Sequence, residues 1–229
     1  MPVQPLNDAS CDLRSAILPA ELLPLFNDHF VRSCDLIEEY IFRLVLGVVR
    51  QTGLVVPLAE GGTATAIAQR AGLAPEVGPW LTDWLLRLLA ERGVITREQG
   101  ASDRFQSRQP LPDLDPDEIE KAQAAHDATA LPSFHLAALA AAGYPSVMRG
   151  EASGESILFA ADRIAAWAEY FSNQNPLYAI SNTIGSRAVQ ARFPHARGSI
   201  LEIGGGFGSG AAALLDRFAE VGVTGCIET

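Results

Sequence analysis

The sequence predicts a mainly α N-terminal region followed by the opening of an α/β domain. Two observations carry this. Apolar residues recur at helical spacing over residues 21–50 and 75–92. Near the other end, Ile200-Leu201-Glu202-Ile203 runs directly into Gly204-Gly205-Gly206-Phe207-Gly208-Ser209-Gly210, and an Ala/Leu-rich segment follows at once. That order reads as a buried strand, a tight loop and a helix.

The elements follow in order. Residues 1–20 form an arm broken by Pro2, Pro5 and Pro19. Leu36, Ile37, Tyr40, Ile41, Leu44, Val45 and Val48 make one broad helical stripe, wide enough to bury against other elements or a second subunit. Thr63 is placed to cap a short helix over residues 64–71, which Gly72 ends. Pro75 opens a longer helix with Trp80, Leu81, Trp84, Leu85, Leu88 and Leu89 on one face, and Gly93 stops it. Val94-Ile95-Thr96 starts a strand that Arg104-Phe105-Gln106 can pair with. Helix, turn, helix, hairpin is a winged-helix pattern.

A winged helix raises DNA binding as one reading. Between residues 75 and 93, however, Glu76, Asp83 and Glu91 outnumber Arg87 and Arg92. Groove recognition calls for basic and amide side chains. The whole chain carries a formal net charge of −10, which disfavours nucleic acid and anionic membrane surfaces alike.

Residues 109–120 read as an acidic, Pro-rich linker, solvated and stiff. An alanine-rich helical stretch, interrupted at Pro132, resumes from residue 121 to 142. His126 and His135 lie on it, neither with a second ligand at i+4, so no metal site is expected. Around Pro176, aromatics and amides alternate. Three Asn and one Gln fall within residues 173–182, and buried amides must all find partners. A wall that orients a polar substrate would use them, as would an amphipathic helix with an Asn-Pro turn.

The glycine loop follows Glu-x-Gly-x-Gly-x-Gly, from Glu202 through Gly204 and Gly206 to Gly208. A dinucleotide fingerprint would need glycine at Ser209, and a carboxylate beside a pyrophosphate is repulsive. No Gly-Lys-Ser/Thr follows, which excludes a phosphate loop of the Walker type. S-adenosylmethionine (SAM) carries an ammonium and no phosphate, so a neighbouring carboxylate is favourable. Leu201 to Gly208 resembles the first motif of class I SAM-dependent methyltransferases. The resemblance implies a Rossmann-like SAM-binding domain and a cofactor site at Glu202, Gly204, Gly205, Gly206, Phe207 and Gly208. Glu228 is either the ribose-binding acid of that family or a loop residue. Residues 63–106 resemble the winged-helix region of small-molecule O-methyltransferases, where it dimerises and covers the substrate. Residues 144–182 are similar to the segment that precedes the core in polyketide-synthase-associated methyltransferases, where it sits over the cofactor as a lid. That resemblance implies Tyr170, Asn175, Tyr178 and Asn182 as candidate lid or substrate residues.

The resulting expectation has four parts: a helical, winged-helix dimerisation region (1–108), the linker (109–120), a helical lid or connector (121–195) and the first β-α-(β) unit of the SAM domain (196–229). The resemblance implies a homodimer that methylates carbon or oxygen on a small molecule or an acyl chain held by a carrier, and the scattered cysteines read as thiols of a reducing cytoplasm. It also implies a core cut short at residue 229, leaving the catalytic residues unassigned. Two other readings stay open, a winged-helix DNA-binding regulator and a non-catalytic dimerisation or lid fragment. Cys11, Cys34 and Cys226 are too scattered for a disulfide framework. Residues 1–10 show no signal peptide, and the run 44–49 is too short to span a bilayer.

Overall fold

A computed structural model describes residues 19–193 and 200–222. Helix α1 (Asp28–Gln51) runs through the middle of the helical region. Asn27 caps it by accepting from the Phe30 N–H at 2.9 Å. Its apolar stripe is covered by this chain's own helices, so the wide face anticipated from sequence is spent inside the molecule.

Helix α2 (Val55–Glu60), strand β1 (Gly62–Thr63), helix α3 (Ala64–Arg70) and helix α4 (Gly78–Glu91) come next. Thr63 caps α3 through the Ala66 N–H at 3.3 Å, and Gly72 and Gly93 leave their helices with φ of 71° and 70°. Strands β2 (Thr96–Glu98) and β3 (Arg104–Gln106) complete an antiparallel sheet of order β1-β3-β2. The anticipated helix, turn, helix, hairpin order is present, with β1 as an added edge strand. Its core joins Leu46 and Val49 of α1 to Leu58, Ile67, Leu85, Leu86, Leu89 and Phe105.

The linker is docked against α1, where sequence predicted a solvated connection. Arg43 donates to the Asp115 carbonyl at 2.6 Å and to Glu118 at 2.9 Å, and Arg50 donates to the Pro112 carbonyl. Leu111 and Leu114 pack on the core. Helix α5 (Pro116–Asp127) starts inside the acidic run, capped by Asp115. Pro132 initiates helix α6 (Leu131–Met148), where sequence predicted a break, because a first-turn N–H has no helical partner to lose.

The end of α5 sits against the start of α1. Asp127 accepts from His29 at 3.2 Å and from Thr129 Oγ1 and N at 2.5 and 2.9 Å. Burial alone would raise the Asp127 carboxyl, but these hydrogen bonds outweigh it and hold it below the usual carboxylate range. Its stabilising effect is therefore complete above the unfolded value of about 3.9 and is lost as pH falls through the lower folded value. Asp127→Asn is expected to flatten the loss of stability below about pH 4, read from urea melts across pH.

Helices α7 (Gly154–Leu158), α8 (Ile164–Tyr170) and α9 (Pro176–Arg192) lead to helix α10 (Ser209–Glu220), which packs on α9. The expected strand before the glycine loop is absent. Residues 200–203 have no strand geometry, and Leu201 and Ile203 are 83% and 88% exposed. A strand needs a neighbour for its backbone N–H and C=O groups, and no described residue pairs with 200–203. The helical half of the predicted β-α unit is present and the strand half is not, so the Rossmann-like start is not formed within the described residues. Among those residues no helix is long and apolar enough to cross a membrane.

Candidate ligand loop and its lid

The glycines set the loop's path. Gly204, Gly206 and Gly208 have φ of 77°, 53° and 74°, in the left-handed region that side chains with a Cβ rarely adopt. The Gly208 N–H reaches the Gly205 carbonyl at 2.7 Å, and the Ala212 N–H then reaches the Gly208 carbonyl at 2.9 Å, starting α10. A Cβ at Gly204 or Gly208 would meet nothing within 4 Å, and one at Gly206 only the Gly204 carbonyl at 3.9 Å. The outer side of the loop is open to a ligand that approaches the main chain.

The other two glycines face a protein group. A Cβ at Gly205 or Gly210 would fall 3.0 or 2.7 Å from the Glu202 carboxylate. Glu202 is thus folded against the loop and the first turn of α10, where the helix dipole favours negative charge. Sequence placed this carboxylate beside the glycines, and it lies there without the strand that was expected to deliver it.

The segment between α8 and α9 covers the loop. Asn173 Nδ2 donates to the Ser209 carbonyl at 2.7 Å, and Asn182 Nδ2 donates to Asn173 Oδ1 at 2.8 Å. Ser209 Oγ lies 3.5 Å from the Tyr178 hydroxyl. Phe207, 51% exposed, stacks on Phe171 at 6.0 Å, which stacks on Trp167 at 5.4 Å. Tyr178 meets Phe171 edge-on at 5.1 Å, and Tyr170 lies 5.6 Å from Tyr178. Such ring pairs stabilise beyond their burial and favour defined orientations.

Among the predicted lid residues, Tyr170, Tyr178 and Asn182 come together beside the loop. Asn175 does not. It is 1% exposed, and its Nδ2 donates to Ser133 Oγ at 2.9 Å and to the Tyr170 carbonyl at 3.0 Å, so it ties the lid to α6. Sequence reasoning missed Asn173, Phe171 and Ser209. The amide run 173–175 signalled polar contacts but not which amide would turn toward the loop. Glu228 lies outside the described residues. His126 bonds to the His29 carbonyl at 2.9 Å, and His135 lies 3.6 Å from Glu120. A cavity of about 530 Å3 lies elsewhere, between α1 and α6 under the docked linker.

No protein-family model matches the sequence, and no curated protein matches it. Solved structures do match. The CurJ carbon methyltransferase superposes with a TM-score of 0.68 at 21% identity, over 90% of this chain and 55% of its own length. The DszA carbon methyltransferase gives 0.64 at 21% identity, over 96% and 57%. The CMeT domain of the citrinin polyketide synthase gives 0.51 at 16% identity, over 90% and 59%. The chain spans a little over half the length of each. It shares the fold of the N-terminal half of proteins described as carbon methyltransferases.

Proposed function

We propose that this chain forms the lid and the cofactor-loop side of a SAM-dependent methyltransferase. Its acceptor would be carbon on a small molecule or on a polyketide-type acyl chain held by a carrier. The observation that carries the reading is the Glu-x-Gly-x-Gly-x-Gly loop, with three left-handed glycines, an open outer side and a carboxylate folded beneath it. The likeness to carbon methyltransferases supports the choice of carbon.

The residues fit SAM. Gly204, Gly206 and Gly208 let the ligand lie against the backbone. The Glu202 carboxylate suits the ammonium of its methionine end, and Glu228 would serve the ribose hydroxyls. Bound SAM supplies an electrophilic methyl group for in-line transfer. The chain's own contribution is orientation and exclusion of water, through Phe171, Phe207, Tyr170 and Tyr178 over the loop. Pairing as a homodimer belongs to the same proposal.

The DNA-binding alternative gains nothing from α4. Arg87 is held by Asp83 at 2.6 Å and Asp103 at 2.9 Å, and the exposed side chains there include Trp80 and Trp84. Titration of S-adenosylhomocysteine into the full natural polypeptide, followed by calorimetry, is expected to show micromolar binding. No heat at millimolar ligand would overturn the cofactor reading.

A further inference from the structure

We infer that Asn173 is a positioning residue for the glycine loop: its amide, held by Asn182, clasps the first turn of α10 from the lid side. This rests on the SAM reading above for its ligand and on geometry alone for the clasp. The clasp rests on two contacts between lid and loop and on one bond within the lid. Asn173 donates to the Ser209 carbonyl at 2.7 Å, Asn182 fixes the Asn173 amide from behind at 2.8 Å, and Phe171 stacks on Phe207. The Asn182 bond is informative. By donating to Asn173 Oδ1 it orients the amide so that Nδ2 points at Ser209.

Asn173 is itself exposed, and the loop it reaches is the one whose apolar run at residues 200–203 has no strand partner among the described residues. The loop's position is therefore held from its helical side, by α9 and the lid. Ligand affinity at Gly204–Gly208 then depends on a side chain that need not touch the ligand.

The test uses the full natural polypeptide and separates position from stability. Asn173→Ala is expected to weaken S-adenosylhomocysteine binding about tenfold, the scale of one lost hydrogen bond, with the ligand-free melting temperature unchanged. Asn173→Asp keeps the acceptor for Asn182 but sets a carboxylate against the Ser209 carbonyl, and should lose as much. Asn182→Ala leaves the Ser209 bond in place and should weaken binding about threefold. Amide hydrogen exchange at Ala212, whose N–H closes the first turn on the Gly208 carbonyl, should rise about tenfold in Asn173→Ala without ligand. Unchanged exchange overturns the clasp whether or not the cofactor reading holds. Raised exchange with wild-type affinity overturns its role in positioning. Failure of the wild type to bind overturns only the cofactor reading, and exchange still decides the clasp.

Discussion

Replacing Gly206 by valine is expected to weaken S-adenosylhomocysteine binding by at least about a hundredfold, with little change in the melting temperature. Gly206 has φ of 53°, a conformation a β-branched residue adopts only under strain. Strain of about 1–3 kcal/mol already corresponds to a shift of about five- to 150-fold between loop conformations. The added methyls supply the rest. A Cβ at Gly206 finds only the Gly204 carbonyl, at 3.9 Å, so the protein leaves room for them and the ligand would not. The loop is exposed and carries none of the buried core, which is why binding should fail before folding does. Gly206→Ala should fall between the two, because one methyl avoids the branching but keeps the left-handed cost. Calorimetry and thermal melts on the same samples decide it, and wild-type affinity in the valine variant would contradict the loop assignment.

What could be read from sequence divides by the range of the interaction involved. Thr63 as a cap, Gly72 and Gly93 as stops and the pairing of residues 104–106 are local chemistry, and all are present. The docking of the linker is invisible in its own composition, because its partners lie on another helix. Arg43 and Arg50 lie seven residues apart on α1, on one face, and reach carbonyls more than sixty positions away. Pro132 reads as a break from sequence because a helix start and a helix interruption look alike until the preceding turn is known. The strand at residues 200–203 failed for a related reason. Its apolar pattern is strand-like, but strand formation is a property of pairs. Asn175 and Asn173 are two positions apart and chemically identical. Only the path of the chain turns one into α6 and the other toward the loop.

The largest loss of stability is expected from Phe105→Ala, about 3–5 kcal/mol, against a total of about 5–15 kcal/mol for a domain. Phe105 is 1% exposed and sits on the central strand, opposite Gly62 on one side and Arg97 on the other. The strands it links have only two or three residues each, too short to persist without an apolar face to pack. Phe105 supplies that face and joins the sheet to Leu54, Leu58 and Leu86 in one core. Its removal therefore leaves a cavity and also unfastens the sheet from the helices. A chain of this size should melt about 6–20 °C lower. Arg104→Ala is the control, on the same strand with an exposed side chain, and should cost under about 0.5 kcal/mol. The glycine loop lies against α9 and the lid, far along the chain from this sheet. Below its melting range the Phe105 variant should therefore keep wild-type S-adenosylhomocysteine affinity. A parallel loss of affinity there would mean that the sheet also supports the loop, through α1 and its contacts with α9.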